Sequence, residues 1–342
     1  MGKVLFIASL GFDSDIPNGV SVKNKHLYKY LKEKKEYELT IVDTENWKKN
    51  LWSIFFKILI NSFKADKIIL SINTNSANKI IKFLYLTKQQ KKLNYFVVGG
   101  NLPDRIREKI YNKKHYFGIN MICVETNEMY RNLESQCFQN VHCVPNFKFF
   151  SKIQLDTKEK YYQESSKSMK AFYLGRIHPD KGINMIFDAL DIINKENNVL
   201  KVDFYGPIEE NFEFEFLKRL DQDTNATYNG SINLFDNYDN YITLSKYDVF
   251  LFPTYWEGEG FPGVVIDSFI AGVPIIASDW KYNSEIVTHS VNGLIFQNQN
   301  LSDFIEKINS VLTDKTKLYK LSENAYKESE KYNAKFVLEN FA

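Results

Sequence analysis

Two cationic side chains, Arg176 and Lys181, stand in a short segment between a predicted strand and a predicted helix. The strand, residues 171–174, is apolar and ends at Gly175, and the helix begins near Gly182. A helix N-terminus carries partial positive charge and free backbone N–H groups, so two full charges beside it form a site for an anion. Arg binds phosphate through two hydrogen bonds, whereas Lys acts as a point charge. The segment is typical of phosphate binding, although a surface turn with two basic residues explains it equally well when it is taken alone.

Two carboxylates, Glu259 and Asp267, flank the start of a second predicted helix, over residues 262–271. Pro262 occupies the first helical position, which proline favours. The free amides of this helix N-terminus suit a diphosphate, and carboxylates accept hydrogen bonds from vicinal hydroxyls such as those of a sugar and a ribose. Taken singly, Glu259 is better explained as a capping acid and Asp267 as a solvated helix residue. Together, the two segments describe a site for a nucleotide sugar.

The elements that must position these residues alternate between strand and helix. Such alternation predicts parallel sheets with helices on both faces, in an α/β fold. The predicted strands are residues 4–9, 38–42, 67–71, 95–98, 121–124 and 141–144, and then, after a polar stretch, 171–174, 201–205, 249–252 and 274–277. We therefore predict two Rossmann-like domains whose sheets face each other across a cleft, over residues 1–150 and 171–322, joined by a linker at 151–170.

Composition agrees with an ordinary globular protein of about two domains. The chain has 342 residues, of which 44% are hydrophobic and 25% charged, and domains average roughly 150 residues. No apolar run reaches the roughly 18 residues that a spanning helix needs, and the N-terminus does not resemble a signal peptide. The three cysteines, Cys123, Cys137 and Cys143, form no CxxC pair. We expect core thiols and a cytoplasmic protein.

The two chemical segments resemble those of the family 4 retaining glycosyltransferases, which have the GT-B fold. The family's glycine–arginine and lysine–glycine pairs are matched by Gly175-Arg176 and Lys181-Gly182, and its Glu-seven-residues-Glu motif by Glu259 and Asp267. The first βα loop, Pro17-Asn18-Gly19-Val20, is also similar. The resemblance covers nearly the whole chain and is most specific over residues 171–296. It implies that residues 323–342 form a helix that packs back on the N-terminal domain.

The resemblance implies a role for each matched residue. Arg176 and Lys181 would bind the donor diphosphate and stabilise the charge that develops on it. Glu259 would hold hydroxyls of the transferred sugar, and Asp267 would hold the ribose. Further donor contacts are expected at Gly19, Gly175, Gly206, Ser231, Gly260, Phe261 and Pro262.

Two positions depart from the family pattern. The second acid of the motif is Asp267 rather than Glu, which is one methylene shorter but still a two-oxygen acceptor. The histidine that usually follows a central strand of the first domain is absent from Gly99-Gly100-Asn101. Asn101 is the candidate to contact the sugar in its place.

The expected activity is transfer of a sugar, with retention, from a UDP-sugar to a glycan or a lipid-linked saccharide in bacterial surface polysaccharide or glycoconjugate synthesis. No cofactor and no metal are expected, and we interpret Asp13-Ser-Asp15 and Asp221-Gln-Asp223 as accidental matches to the metal-binding Asp-x-Asp pattern. Two alternatives stay open. One is a non-catalytic GT-B partner subunit of another transferase, and the other is a sugar-nucleotide epimerase, which needs no acceptor.

Charge is distributed unevenly, with a net +11 over residues 1–164 and −9 over residues 165–342. A basic half favours an anionic partner, and we expect an anionic membrane surface, on the inner face of the cell membrane, rather than nucleic acid. Residues 47–64 combine large apolar side chains with lysines and would suit a membrane interface or, equally, a buried helix. A solvated lysine-rich surface explains the charge equally well.

Overall fold

A computed structural model describes residues 1–12, 19–34, 36–45, 47, 49–151, 168–235, 237 and 239–339. The chain forms two compact units. The first comprises Met1–Phe149, Gly258–Phe261 and Tyr332–Ala342, and the second comprises Phe150–Glu257 and Pro262–Lys331. Most of the predicted linker, residues 152–167, lies outside the described residues, as do Asp13, Asp15, Pro17 and Asn18 of the first βα loop.

The first unit contains a six-stranded parallel sheet in the order β2-β1-β3-β4-β5-β6. Its strands are β1 (Gly2–Ala8), β2 (Tyr37–Asp43), β3 (Lys67–Ser71), β4 (Leu93–Phe96), β5 (Met121–Val124) and β6 (Val141–Cys143). Its helices are α1 (Gly19–Glu33), α2 (Leu51–Lys64), α3 (Thr74–Leu86), α4 (Leu102–Arg107), α5 (Asn127–Glu134) and α13 (Ala334–Val337).

The core of the first unit includes residues from both ends of the chain. Phe6 of β1 and Leu27 of α1 belong to the same buried cluster as Ala334 and Leu338. The hydroxyl of Tyr30 in α1 donates to the carbonyl of Leu338 at 2.9 Å. Burial of these apolar side chains stabilises the docking of α13 by a few kcal/mol, at about 25 cal/mol per Å² removed from water.

The second unit contains another six-stranded parallel sheet, in the order β12-β11-β10-β7-β8-β9. Its strands are β7 (Met169–Leu174), β8 (Leu200–Tyr205), β9 (Ala226–Tyr228), β10 (Val249–Phe252), β11 (Ile275–Ser278) and β12 (Gly293–Phe296). Its helices are α6 (Ile183–Ile193), α7 (Glu213–Gln222), α8 (Asp239–Leu244), α9 (Gly263–Ile270), α10 (Asn283–Ile286), α11 (Leu301–Leu312) and α12 (Lys315–Ser329).

The predicted α/β class with two parallel sheets is confirmed. Three strands have the predicted bounds, β3, β5 and β10. The edge strand β12 was not predicted, because it begins at a glycine and follows a turn signal. The helix predicted over residues 262–271 is α9, in which Pro262 is the N-cap rather than the first helical residue.

Buried His26 of α1 gives the first unit an expected pH dependence. Its Nδ1 accepts a hydrogen bond from the backbone N–H of Phe149 at 3.1 Å. Burial, together with the nearby cations Lys148 and Lys29, holds the pKa of His26 well below its ordinary value of 6.5. The folded state therefore keeps the imidazole neutral, whereas the unfolded chain takes up a proton below about pH 6.5.

We expect the free energy of unfolding to lose this contribution as the pH falls below about 6.5, with a limiting slope of about 1.4 kcal/mol per pH unit. Denaturant unfolding between pH 7.5 and 5 measures it. In His26→Asn, whose amide oxygen can replace Nδ1 as acceptor, this part of the slope should vanish. An unchanged slope in the variant would assign the acid sensitivity to other groups.

Candidate functional site

The loop after β7 is shaped by two glycines in backbone conformations that side-chain-bearing residues rarely adopt. Gly175 directly follows β7 with a φ of 144°, and Gly182 precedes α6 with a φ of 76°. A Cβ on Gly182 would lie 2.2 Å from the carbonyl oxygen of Pro253, which follows β10. Glycine is therefore required where the start of α6 meets the loop after β10.

Both predicted phosphate-binding cations of this loop lie beside one aromatic ring. The guanidinium carbon of Arg176 is 5.8 Å, and the Nζ of Lys181 is 5.9 Å, from the centre of the Trp256 ring. The indole N–H of Trp280 donates to the carbonyl of Trp256 at 2.8 Å. The ring is thus a common neighbour of the two cations, and the backbone that carries it is held by Trp280.

Arg176 also forms an ion pair with Glu209, with 3.4 Å between Nη1 and Oε2 and with the Arg176 side chain about half exposed. An exposed pair of this kind contributes about 0–1 kcal/mol. Its guanidinium can therefore exchange the carboxylate for a phosphate at small cost. The backbone beneath it is held more firmly, since the Tyr173 hydroxyl donates to the Arg176 carbonyl at 2.8 Å.

These residues lie at the topological switch point of the second sheet. From β7 the chain adds β8 and β9 on one side and then returns to place β10 on the other. Arg176 follows β7 and Trp256 follows β10, and these two strands are paired neighbours. Open α/β sheets bind ligands outside the carboxyl ends of their strands at this position. The two cations and the ring are therefore placed where a ligand is expected.

Glycines just beyond the carboxyl ends of β7, β8 and β9 continue the backbone hydrogen bonding between these strands. The N–H of Gly175 donates to the carbonyl of Tyr205 at 3.0 Å, and the N–H of Gly206 donates to that of Gly230 at 2.9 Å. Gly206 has a φ of 136°, and a Cβ on it would lie 1.9 Å from the carbonyl oxygen of Gly175. Ser231 directly follows Gly230 and is exposed. The edge of the sheet is therefore bare backbone next to Arg176, which lets a ligand approach closely.

The close approach of Gly206 predicts a strong effect on stability. Gly206→Ala adds both backbone strain and a clash with a carbonyl oxygen, and we expect a loss of about 3 kcal/mol or more in the free energy of unfolding. Gly230→Ala is the matched control, because its φ is 71° but nothing lies within 4 Å of an added Cβ. It should cost about 1–2 kcal/mol. Chemical denaturation compares the two, and equal losses would contradict the role of the Gly175 contact.

Asp267 lies in α9 and is buried, with 2% of its surface exposed. Its Oδ1 accepts a hydrogen bond from the hydroxyl of Tyr241 at 2.6 Å. Tyr241 comes from α8 and is itself buried. The carboxylate is thus held in one orientation, and its predicted contact with a ribose stays a prediction.

Glu259, Gly260 and Phe261 belong to the first unit, whereas Pro262 and Asp267 belong to the second. The backbone N–H of Phe261 donates to Oε2 of Glu125 at 3.2 Å, and its carbonyl accepts from Nδ2 of Asn146 at 3.0 Å. Glu259 is 7% exposed. This loop, residues 258–261, is therefore fixed by side chains that follow β5 and β6.

Gly260 and Gly99 pack backbone against backbone in the same unit. A Cβ on Gly260 would lie 3.1 Å from the Cα of Gly99 and 2.8 Å from Oε2 of Glu125. Gly99 has a φ of 84°. Asn101, the predicted sugar contact, is the half-buried N-cap residue of the short α4 and makes no side-chain capping bond. Gly19 is the first residue of α1, and residues 13–18, which precede it, lie outside the described residues.

Glu125, which contacts the 258–261 loop, also forms a buried ion pair. The Nζ of Lys23 in α1 lies 2.6 Å from Oε1 of Glu125, and each side chain is 4% exposed. Nζ of Lys23 also donates to the carbonyl of Val97 at 3.4 Å. Because the other oxygen of Glu125 accepts from Phe261, the carboxylate connects α1, β5 and the loop.

The structure thus brings Arg176 and Lys181 together and places Gly175 and Gly206 beside each other. Sequence reasoning missed Trp256, Tyr241, Lys23, Glu125 and Asn146. Trp256 could have been noticed as a large aromatic residue directly before the glycine-rich acidic loop. The described residues include no group of three or more His, Cys, Asp or Glu side chains that could hold a metal ion.

Comparison with known proteins identifies the family of this chain. The model of the family "Glycosyl transferases group 1" matches residues 156–328, just over half of the chain. Among curated proteins, a poly(glycerol-phosphate) alpha-glucosyltransferase of Bacillus subtilis is 25% identical over 293 residues, covering 75% of this chain and 42% of that protein. The capsular polysaccharide glycosyltransferase CapM of Staphylococcus aureus is 26% identical over 200 residues, covering 56% and 50%. The chain thus spans about half the length of these relatives.

The fold is also found in solved structures. HepE of Anabaena, crystallised with UDP, superimposes with a TM-score of 0.70 at 14% identity, covering 99% of this chain and 98% of that one. This likeness and the two parallel sheets establish the predicted GT-B fold. On the family match over residues 156–328, the chain belongs to the group 1 glycosyl transferases and is related to glycosyltransferases of cell-wall and capsular polysaccharide synthesis.

Proposed function

We propose that this protein transfers a sugar, with retention of configuration, from a UDP-sugar to a glycan or a lipid-linked saccharide at the inner face of the cell membrane. The observation that carries the proposal is the pair Arg176 and Lys181, both within 6 Å of the Trp256 ring centre at the switch point of the second sheet. Two cations at this position suit the diphosphate of a nucleotide sugar.

The two cations would act most strongly when the donor bond breaks. The bond between the anomeric carbon and the diphosphate oxygen cleaves, and the diphosphate leaves with the electron pair. Arg176 and Lys181 stabilise the charge that develops there, which is transition-state stabilisation. An acceptor hydroxyl attacks on the same face of the sugar, and its proton passes to the departing phosphate.

Two carboxylates complete the proposed donor site. Glu259 would accept hydrogen bonds from the transferred sugar, and Asp267 from the ribose. A carboxylate offers about four lone-pair positions, so Asp267 can accept several hydrogen bonds, the one from Tyr241 among them. We propose that the reaction needs no metal ion, because Arg176 and Lys181 supply the positive charge that a metal would otherwise provide.

The relatives support the class of donor and acceptor. HepE was crystallised with UDP, and the Bacillus subtilis relative is named as a glucosyltransferase that acts on poly(glycerol-phosphate). We extend to this chain a uridine nucleotide and a polymeric or lipid-linked acceptor of surface polysaccharide synthesis. Asn101 is the proposed further contact with the sugar, and the other proposed donor contacts are Gly19, Gly175, Gly206, Ser231, Gly260, Phe261 and Pro262.

A thermal-shift panel tests the proposal. The protein is heated with UDP-, GDP-, ADP- and CMP-sugars, each at about 100 times a typical dissociation constant, where one bound ligand adds roughly 2.7 kcal/mol of stability. We expect a clear shift with uridine nucleotides. No shift with any nucleotide sugar, in folded protein, would overturn the transferase proposal in favour of a non-catalytic subunit. Conversion of the sugar without any acceptor would favour an epimerase.

A further inference from the structure

Helix α2 presents a row of large apolar side chains to solvent. Trp52 is 71% exposed and Phe63 is 54% exposed. The row continues at helical spacing, three, four, eight and eleven positions after Trp52. We call this row the α2 stripe, and its members are Trp52, Phe55, Phe56, Ile60 and Phe63.

The opposite face of α2 is what attaches it to the first unit. Ile58 and Ser62 are its buried residues. Phe55 lies at the edge of the stripe, where its ring contacts that of Phe83 in α3, with centroids 5.9 Å apart, while 41% of the residue stays exposed. Nζ of Lys92 lies 3.4 Å from the carbonyl oxygens of Ser62 and Phe63, in the last turn of the helix. The helix is therefore fixed, and its stripe points outward without any rearrangement.

The stretch of chain that carries the stripe is rich in lysine. Residues 46–103 contain ten lysines and one acidic residue, Asp66. Lys57 and Lys64 of α2 are exposed, and Nζ of Lys79 in α3 lies 5.6 Å from the centre of the exposed Trp47 ring. The apolar stripe thus has exposed lysines on its own helix, in a strongly cationic stretch of the sequence.

We propose that the α2 stripe anchors the first unit to an anionic lipid bilayer, with α2 lying in the plane of the interface. Aromatic and aliphatic side chains on one face of a helix, with lysines beside them, have the chemistry that binds at the headgroup boundary. The lysines add attraction to anionic headgroups. The stripe runs from Trp52 to Phe63, about 17 Å along the helix at roughly 1.5 Å per residue.

A bilayer fits these observations better than a second copy of the chain. Two copies meeting at the stripe would bring the same lysines together, and like charges oppose such a contact. A spanning anchor does not supply the attachment within the described part of the chain, where no helix has both the length and the apolarity to cross a bilayer. The inference concerns attachment alone and does not depend on the proposed transfer reaction.

Vesicle flotation tests the anchor. Wild-type protein is mixed with vesicles of phosphatidylcholine containing 30% phosphatidylglycerol, and with pure phosphatidylcholine vesicles, at low and high salt. The variants are Trp52→Ser/Phe56→Ser, which shortens the stripe, and Lys57→Glu/Lys64→Glu, which reverses two charges. Phe214→Ser is the matched control, because Phe214 is 82% exposed but lies in the second unit.

We expect wild type and the Phe214 control to float with the anionic vesicles. The stripe variant should bind about tenfold more weakly or worse, and the lysine variant roughly fivefold more weakly per lysine at low salt. Absence of flotation at low salt, or equal flotation of the stripe variant, would overturn the proposal. So would a wild-type dimer that the stripe variant converts to monomer. The thermal shift with UDP, which should be unchanged in all these variants, reports separately on the proposed donor site.

Discussion

Arg176→Ala and Lys181→Ala are each expected to lower kcat by about 10²–10³, because each removes a cation that stabilises charge on the departing diphosphate. Initial rates of UDP release, with the donor identified by thermal shift, measure the effect. The double variant should lose less than the product of the two factors, since groups that act on the same charge are not additive. Stability should change little, as the Arg176 side chain is about half exposed.

The matched control is Arg219→Ala. Arg219 of α7 is also paired with carboxylates, at 2.9 Å from Asp191 and 3.4 Å from Asp188, but it does not follow a strand of the sheet. Its removal should leave kcat within about twofold, as expected of a residue without transition-state contacts. A loss in Arg219→Ala equal to that in Arg176→Ala would indicate a general effect of charge and contradict the assigned roles. Arg176→Lys should recover part of the rate, because it keeps the charge but not the two-pronged geometry.

Glu125→Ala is expected to destabilise the first unit by about 3–5 kcal/mol, because it leaves the buried ammonium of Lys23 without its carboxylate. Chemical denaturation, followed by a probe in the first unit, measures this change. Glu323→Ala is the control, since Glu323 pairs with Lys327 on the surface at 2.7 Å with both side chains about half exposed or more. An exposed pair of that kind contributes about 0–1 kcal/mol.

A double variant distinguishes the effect of the buried charges from the effect of the hydrogen bond that supports the loop. Lys23→Met/Glu125→Leu removes both charges and should recover much of the lost stability, as apolar replacements of buried ion pairs often do. It does not restore the acceptor for the Phe261 N–H, so the 258–261 loop should still be loosened and the KM for the donor raised. Full recovery of both stability and KM would show that Glu125 serves only to neutralise Lys23 and that its hydrogen bond to the loop is dispensable. A Glu125→Ala variant as stable as wild type would contradict the buried pair.

The sequence was sufficient for the fold class because the relevant signals are local. Buried parallel strands are short apolar runs, and β3, β5 and β10 were located to the residue in this way. The strand–loop–helix signal around Arg176 and Lys181 is also local, as glycines mark both of its ends. The short helix α9 was bracketed by Pro262 and Gly272 for the same reason.

What the sequence could not predict depends on contacts between distant positions. Lys23 and Glu125 are 102 positions apart, and neither is marked by its neighbours as half of a buried pair. The bond from Tyr241 to Asp267 joins two helices 26 positions apart. Residues 47–64 fitted both a surface and a buried helix, because apolar periodicity does not tell which of two faces is covered. The structure decides between them by burying Ile58 and Ser62 and exposing Trp52.

The contribution of α13 to the first core has a consequence for synthesis on the ribosome. Ala334 and Leu338 complete a cluster that otherwise comes from the first 149 residues. They are translated roughly 185 residues after Phe149, which takes about 10–40 s at 5–20 residues per second. During that interval the nascent first unit exposes the apolar groove that α13 later fills. Chaperone protection should therefore matter most in this interval, and slow codons downstream of residue 149 would prolong it.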